Sequence, residues 1–257
     1  MTEIRTIREN EGEAFLRLMC DTFGLDFNRA YDVFFTEPMF DLDRKWALFE
    51  GREMVSILTT TPLSFGWGNA FGIAGVATQK ERQGEGLASK LLEKVLKDSG
   101  KRGEGSALLF ARDTRVYDRN GFEPLDRVIR AQIKTKSEGD LPDCLEFEAV
   151  QSIYNAWSQE HPDRLRRDER RWGYWQWHYR ICTPFEGGYL CYEPNVLREH
   201  LFSDPVDRIA LPPGTEWFGT TFMADQFEIP IENPEVELYL MGYNVPGIPQ
   251  MFMTDQF

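Results

Sequence analysis

The chain has 257 residues, of which 42% are hydrophobic and 14% aromatic, so it can bury one large core or two modest ones and is not wholly disordered. Its net charge of −13 argues against a nucleic-acid partner. It has neither an apolar run long enough to span a membrane nor the basic-then-apolar start of a signal peptide, so we expect a cytoplasmic protein that makes no membrane contact.

Metal and disulfide chemistry are not expected. The four cysteines lack C-x-x-C spacing, and only three histidines could join them in a metal site. We therefore expect reduced, mostly buried cysteines and no bound metal.

The first half of the chain alternates between strand-like and helix-like patterns. Helical spacing of apolar residues predicts helices at 11–23 and 27–36, and a loop is expected at 64–69. Alternating or continuous apolar runs predict strands at the following positions: 3–8, 45–50, 53–63, 71–78, 106–111 and 128–134. This pattern predicts a compact α/β core that ends near residue 135.

A charged turn with two glycines joins the strand at 71–78 to an amphipathic helix that begins near Leu87. At a helix N-terminus the backbone N–H groups lack partners and the macrodipole is positive. Gly84 and Gly86 let the backbone curl and leave room for a ligand, while Arg82 adds positive charge. The turn therefore predicts a phosphate or pyrophosphate site.

The distribution of charge supports a polyphosphate ligand at this turn. Residues 82–136 contain 13 Lys and Arg against 8 Asp and Glu, although the whole chain is acidic. A Rossmann or P-loop site does not fit, because Gly84-Glu85-Gly86 lacks the third glycine and no G-x-x-x-x-G-K-[ST] run exists.

Two motifs carry a resemblance to a known family. Gln83, Gly86 and Ala88 match the signature Q/R-x-x-G-x-G/A, and Tyr117 and Gly121 lie in a segment similar to F-Y-x-x-x-G-F, with Phe122 completing it. The motifs occur in the right order, a helix and a strand apart. The chain therefore resembles the GNAT acetyltransferases, which bind acetyl-coenzyme A. The order of predicted elements also reproduces the core of that family.

The resemblance implies an α/β (α+β) GNAT fold, with a mixed, mostly antiparallel central sheet flanked by helices, and acetyl-CoA as co-substrate. Residues 1–135 would form the catalytic domain. The implied cofactor contacts are Val76, Ala77, Thr78, Arg82, Gln83, Gly84, Glu85, Gly86, Leu87, Ala88, Asp113 and Thr114. The N–H of Val76 or a neighbour would stabilise the thioester oxygen.

The resemblance also implies catalytic roles. Tyr117 matches the tyrosine that protonates the coenzyme's sulfur in many family members, and a phenol is protonated near neutral pH. The strand at 71–78 has no acid that could serve as the base. In the Eis-type acetyltransferases a C-terminal phenylalanine carboxylate accepts the amine proton, so we hypothesise this role for Phe257, with Asp255 as the alternative.

The second half, residues 136–257, resembles loosely the start of the second acetyltransferase-like domain of Eis-type proteins. We predict a truncated α+β, GNAT-like domain, which either stands alone or completes the acceptor site. Helices are expected at 147–158 and 164–180, the latter with a core face of Trp172, Trp175 and Tyr179, and hairpin strands at 187–192 and 196–202. No second cofactor motif occurs here. A repeat at 222–227 and 252–257 reflects either equivalent strand ends or coincidence.

The resemblance implies an N-acetyltransferase that acts on a primary amine. The acidic chain and the aromatic residues near the expected pocket favour a small cationic acceptor, such as a polyamine, an aminoglycoside-like amine or an amino-acid derivative. The candidate acceptor-binding residues are Phe27, Tyr31, Trp46 and Trp67, for each of which core packing is the alternative. A protein or peptide lysine as acceptor, and a silent CoA-binding or adaptor module, remain open, as does assembly into a homo-oligomer.

Overall fold

The computed structural model describes residues 2–134, 146–178, 182–185, 188–193, 195–201 and 211–257. The helices are α1 (Gly12–Phe23), α2 (Phe27–Phe34), α3 (Leu87–Lys101), α4 (Arg115–Asp118), α5 (Phe147–Gln159), α6 (Glu169–His178) and α7 (Thr221–Gln226). Among the described helices, none is long and apolar enough to cross a membrane.

The described strands form one mixed sheet. They are β1 (Thr2–Thr6), β2 (Lys45–Glu50), β3 (Glu53–Phe65), β4 (Gly68–Thr78), β5 (Ser106–Ala111), β6 (Glu123–Ile133), β7 (Cys182–Phe185), β8 (Gly188–Glu193), β9 (Val196–Leu201), β10 (Glu216–Thr220) and β11 (Ile231–Tyr243). Their spatial order is β1-β2-β3-β4-β5-β11-β6-β10-β9-β8-β7. Only the β4–β5 and β9–β10 pairs are parallel within this described sheet. A mixed, mostly antiparallel sheet flanked by helices is the predicted fold class.

The two halves of the chain share this sheet. β11, from the C-terminal half, lies between β5 and β6, pairing Tyr239 with Ala111 on one side and Ile231 with Ile133 on the other. The predicted domain boundary at 135/136 falls in residues outside the described part of the chain. The first half of the chain therefore depends on a later segment to join its strands.

Local sequence explains the helices of the first half. α1 ends where Gly24 takes a left-handed conformation and its N–H bonds the Cys20 carbonyl. α2 begins at Asp26, whose carboxylate accepts the Arg29 N–H. The predicted apolar face of α3, including Leu87 and Leu91, is buried against the sheet.

Several boundaries differ from the sequence prediction. The predicted loop at 64–69 is instead a tight hairpin, because Phe65 pairs with Gly68 and the Phe65 and Trp67 rings stack 4.7 Å apart. Helix 27–36 ends at Phe34. The helix predicted at 164–180 begins only at Glu169.

The late start of α6 has a physical cause in the hydrogen bonds that precede it. The Arg166 N–H donates to the Ser64 carbonyl and the Leu165 N–H to the Gln250 carbonyl, so these residues are extended. Tyr179, predicted for the core face of this helix, lies outside the described residues, whereas Trp172 and Trp175 are buried as expected.

The six-residue repeat does not mark equivalent strand ends. Residues 222–227 lie mainly in α7, whereas residues 252–257 contain a short 3-10 turn at Met253–Asp255. The rings of Phe227 and Phe252 stack with centroids 5.8 Å apart. The two copies therefore meet in the core of the C-terminal half with different backbone structures.

Candidate active site

A cavity of about 640 Å³ brings the two sequence motifs together, and we call it the cofactor cavity after the ligand that the motifs predict. It lies between the end of β4, the N-terminus of α3 and the short helix α4. Its predicted lining residues are Val76, Thr78, Arg82, Gln83, Gly84, Gly86, Leu87, Ala88, Asp113 and Tyr117. Among the predicted cofactor contacts, Ala77, Glu85 and Thr114 do not line it.

The turn at the floor of this cavity exposes backbone N–H groups. Gly84 and Gly86 have φ angles of +86° and +75°, which other residues adopt only with strain. Gly86 is the N-cap of α3 and offers no side chain to cap it. The first N–H groups of α3 therefore point into a cavity without an intrahelical acceptor, which suits an anion.

The predicted positive charge of the turn is already paired with acids. The Arg82 Nε donates to Glu85 at 2.7 Å and one Nη to Glu50 at 3.1 Å, which raises the pKa of Arg82 further. The Gln83 amide donates to the Thr78 carbonyl at 3.2 Å. These bonds hold the turn close to Thr78 at the end of β4 and to Glu50 at the end of β2. Both side chains therefore stabilise the turn through contacts within the protein.

The structure adds lining residues that were not among the predicted contacts, namely Thr22, Ser89, Arg115 and Arg119, together with Val116, which precedes Tyr117 in the second motif. The excess of basic residues at 82–136 was a signal for the two arginines, whereas no pattern marked Thr22 or Ser89.

A side-chain bridge fixes the distance between the two motif segments. Ser89 Oγ donates to Asn120 Oδ1 at 2.8 Å, and the Asn120 amide donates to the Ser89 carbonyl at 3.1 Å. The Arg115 guanidinium binds Asp113 at 2.7 Å. The start of α4 is thereby held opposite the N-terminus of α3.

Tyr117 lies on the wall of the cavity and is half-buried. Its ring packs against Phe122 with centroids 6.1 Å apart. Burial raises the pKa of the Tyr117 hydroxyl above its ordinary value of 10.0. The phenol is therefore protonated at neutral pH, as a proton donor must be.

β4 parts from β5 beside this cavity. The β4–β5 pairs run from Ala70 with Ser106 to Ile73 with Leu109. The residues of β4 that follow Ile73 pair only with β3, where the register shifts, among the described strands. Beyond Ile73, the described β4 backbone thus has an edge toward the cavity. An extended ligand can add to such an edge by main-chain hydrogen bonds.

A second cavity, of about 560 Å³, lies on the other side of this edge. We call it the acceptor cavity, after the role that we propose for it below. Its lining comes from both halves of the chain: α1, α2, Thr59, Thr61, Ala74 and Gly75 from the first, and Arg171, Tyr174, Gln256 and Phe257 from the second.

Phe257 reaches the acceptor cavity by packing on β4. Its ring lies over Gly72, where an added Cβ would come within 2.4 Å of the ring, and 5.4 Å from the ring of Phe110. Only a glycine at position 72 leaves room for this contact.

A buried charge cluster holds the segment that precedes Phe257. Arg167 donates to Asp255 at 2.8 Å and to Glu199 at 2.9 Å, and all three side chains are at most 1% exposed. The Tyr154 hydroxyl also donates to Asp255, at 3.3 Å. Asp255, the alternative base, is therefore bound in the core and does not line the acceptor cavity.

The four aromatic residues predicted for the acceptor site are absent from the lining of this second cavity. Trp46 is 5% exposed and packs in the core under Arg102, and Trp67 stacks on Phe65. Phe27 and Tyr31 stack on each other along α2. None of the four lines the acceptor cavity, because each ring is turned to a neighbouring ring or cation.

Comparisons with known proteins agree with this architecture. Residues 3–125 match the family model "Acetyltransferase (GNAT) domain", which confirms the family that the two motifs predicted. No curated protein matches the chain.

Solved structures share the fold over most of the chain. A probable N-acyltransferase from Enterococcus faecalis is 14% identical, with a TM-score of 0.69 over 94% of this chain and 72% of that one. Eis1 from Mycobacterium abscessus is 14% identical, with a TM-score of 0.62 over 93% and 73%. An acetyltransferase described as putative, from Pyrococcus horikoshii, is 12% identical, with a TM-score of 0.69 over 97% and 91%.

Proposed function

Residues 3–125 belong to the GNAT acetyltransferase family, and we propose that the protein transfers the acetyl group of acetyl-CoA to a primary amine of a small cationic molecule. One observation carries this proposal: the consecutive residues Gly75 and Val76 of β4 line the acceptor cavity and the cofactor cavity, respectively. A thioester lying along this edge of β4 has a path to an amine on the other side.

The cofactor cavity suits the parts of acetyl-CoA. The uncapped N–H groups at the start of α3 would bind the pyrophosphate, and the unpaired edge of β4 would bind the pantetheine amides. Arg115 and Arg119 add positive charge to the wall. The positive φ angle of Gly86 lets the backbone approach a phosphate without a side chain between them.

The transfer balances with three protein groups. The amine nitrogen attacks the thioester carbonyl, a C–N bond forms, and the C–S bond breaks. The N–H of Val76 donates to the carbonyl oxygen as negative charge develops there. Tyr117 gives its proton to the departing thiolate, and the proton lost by the amine passes to the carboxylate of Phe257, directly or through water.

Placement supports Phe257 over Asp255 as the base. Phe257 lines the acceptor cavity, whereas Asp255 is held in a buried pair with Arg167. Asp255 is 1% exposed and its oxygens are already bound by Arg167 and Tyr154, so an acceptor amine in the cavity has no direct access to it. Glu37 is the other acid of the second cavity that could take this role, and its partner there is Lys45 at 3.5 Å.

Thiol release from acetyl-CoA with a panel of amines tests the proposal. We expect turnover by the unmodified protein and a loss of about 10²-fold or more in kcat for Tyr117→Phe, with coenzyme binding retained. Tyr243→Phe is the matched control, because Tyr243 packs on the same Phe122 but lies outside the cofactor cavity.

A chain extended by a few residues beyond Phe257 tests the base. Extension moves the terminal carboxylate away from the acceptor cavity, so kcat should fall while coenzyme affinity stays the same. An extended chain with full activity would refute the role of the carboxylate and leave Glu37 as the candidate. Tight coenzyme binding with no thiol release for any amine would favour the silent binding module.

A further inference from the structure

The acceptor cavity has a mostly apolar lining and an apolar rim. The apolar side chains that line it from the α1–α2 side are Met19, Leu25, Ala30, Val33, Phe34 and Met39. At the rim, Leu25 and Val33 are 50% and 49% exposed. Apolar surface of this kind favours a ligand that removes it from water.

The charged side chains of the same cavity balance one another. Asp26 and Glu37 face Arg29 and Arg171 in the lining. Protein partners already engage three of them: Asp26 caps α2, Glu37 lies 3.5 Å from Lys45, and Arg171 donates to backbone carbonyls. With the terminal carboxylate of Phe257 that we propose as the base, the cavity therefore offers one unbalanced negative charge, which matches one ammonium group and not several.

The size of the cavity is that of a small-molecule site. Its volume of about 560 Å³ lies within the range of roughly 300–1,000 Å³ found for small ligands. Thr59 and Thr61 of β3 are polar members of the lining, and Thr59 pairs with Ala74 of β4, whereas the exposed apolar side chains Leu25 and Val33 lie at the rim. A ligand with one polar end and an apolar body matches this arrangement.

We infer that the acceptor is a primary amine with a single positive charge on an apolar body, such as an alkylamine or arylalkylamine, and not a polycation. This inference rests on the proposed function, since it names the substrate class of the same site. The amine lies toward Gly75, and the apolar body lies against Val33 and Leu25.

Hexylamine and 1,5-diaminopentane form a matched pair of probes. They have the same length and number of heavy atoms, and differ by a terminal methyl in place of a second amine. Calorimetric titration of each into the CoA-bound protein measures binding, and thiol release from acetyl-CoA measures transfer separately. We expect hexylamine to bind, and to react by kcat/KM, about tenfold better or more. Equal values, a preference for the diamine, or no binding of either would overturn the inference.

A variant pair ties the preference to the cavity. Val33→Asp places a carboxylate at the rim. It should reduce the ratio of kcat/KM for hexylamine to kcat/KM for 1,5-diaminopentane by about tenfold, because the second ammonium of the diamine gains a partner. Val236→Asp is the control, since Val236 is 44% exposed on β11 and outside the cavity, and its ratio should not change. An unchanged ratio in Val33→Asp would overturn the inference.

The two readouts separate the hypotheses. Preferential binding of hexylamine without thiol release would support the apolar acceptor cavity and refute acetyl transfer. Thiol release with a preference for the diamine would support acetyl transfer and refute the apolar acceptor.

Discussion

Replacing Gly72 by alanine should displace the Phe257 ring from its packing position on β4. Gly72 is buried, and its backbone is extended, so an alanine is tolerated by the strand itself. The added Cβ would lie 2.4 Å from the Phe257 ring, whereas ordinary contacts begin at 3.4 Å. The ring must therefore move by about 1 Å, because the atoms of β4 are held between β3 and β5.

A displacement of this size has two consequences. Overpacking of a buried contact costs about 1–3 kcal/mol of unfolding free energy. A shift of about 1 Å in a catalytic group lowers a rate by roughly 10²-fold. The coenzyme turn is not in contact with Gly72, so CoA affinity should stay within about twofold of the unmodified protein.

Urea unfolding, kcat from thiol release and CoA titration measure the three effects. Gly100→Ala is the control, because Gly100 lies in α3 with nothing within 4 Å of the added Cβ. Phe257→Ala removes the ring that meets the added Cβ, so in a double-mutant cycle with Gly72→Ala the two changes should show a coupling of about 1–3 kcal/mol in the free energy of unfolding. Unchanged stability and kcat in Gly72→Ala would refute both the docking of Phe257 and its role as base.

Three other variants test separate parts of the structure. Gly86→Ala forces a side chain into a φ of +75°, so this variant should bind CoA about tenfold more weakly than the unmodified protein in a titration, whereas Gly100→Ala should bind CoA as the unmodified protein does. If Gly86→Ala binds CoA with unchanged affinity, the turn is not the phosphate site. Arg167→Met leaves buried Glu199 without its cation and Asp255 with only Arg171 at 3.8 Å, so it should cost about 3–5 kcal/mol in urea unfolding. Arg17→Met, which breaks an exposed pair, should cost less than about 1 kcal/mol, and similar losses in the two variants would contradict the importance of the cluster. Burial lowers the pKa of His200 from 6.5 to about 3, so below pH 6.5 the unfolded chain binds a proton that the folded chain does not, and the free energy of unfolding falls as the pH drops toward 3. Between pH 7 and 5, His200→Leu should therefore lose about 2 kcal/mol less of this free energy than the unmodified protein, measured by urea unfolding. An equal loss would show that other groups cause the acid sensitivity.

The cofactor cavity could be predicted from sequence because its determinants are local. Gln83, Gly86 and Tyr117 lie in two short motifs, and each motif includes the backbone turn that positions it. In the first half of the chain the existence of strands and helices followed from apolar periodicity, and strands 45–50 and 106–111 were correct to the residue. In the second half, strands β7, β10 and β11 and helix α7 were not predicted.

The acceptor cavity could not be predicted in the same way. Its members Arg171, Tyr174 and Phe257 are close to β4 only because distant segments fold onto the same sheet. The aromatic character of Trp46 and Trp67 did not indicate which face each side chain takes, and both pack away from the acceptor cavity. The insertion of β11 has no local sequence signal, since it depends on which strand edges remain available.

The position of β11 also constrains how the protein is made. β5 and β6 are close in sequence, yet they do not pair with each other, because residues 231–243 lie between them and pair with both. During synthesis these two strand edges stay unpaired until about a hundred further residues have been made, and an exposed edge can pair with other chains. Contacts of such long sequence separation slow folding, since a long loop must close before they form. We therefore expect a chain cut after residue 135 to aggregate instead of giving a working acetyltransferase domain, and the whole protein to need chaperone protection until its last third has left the ribosome.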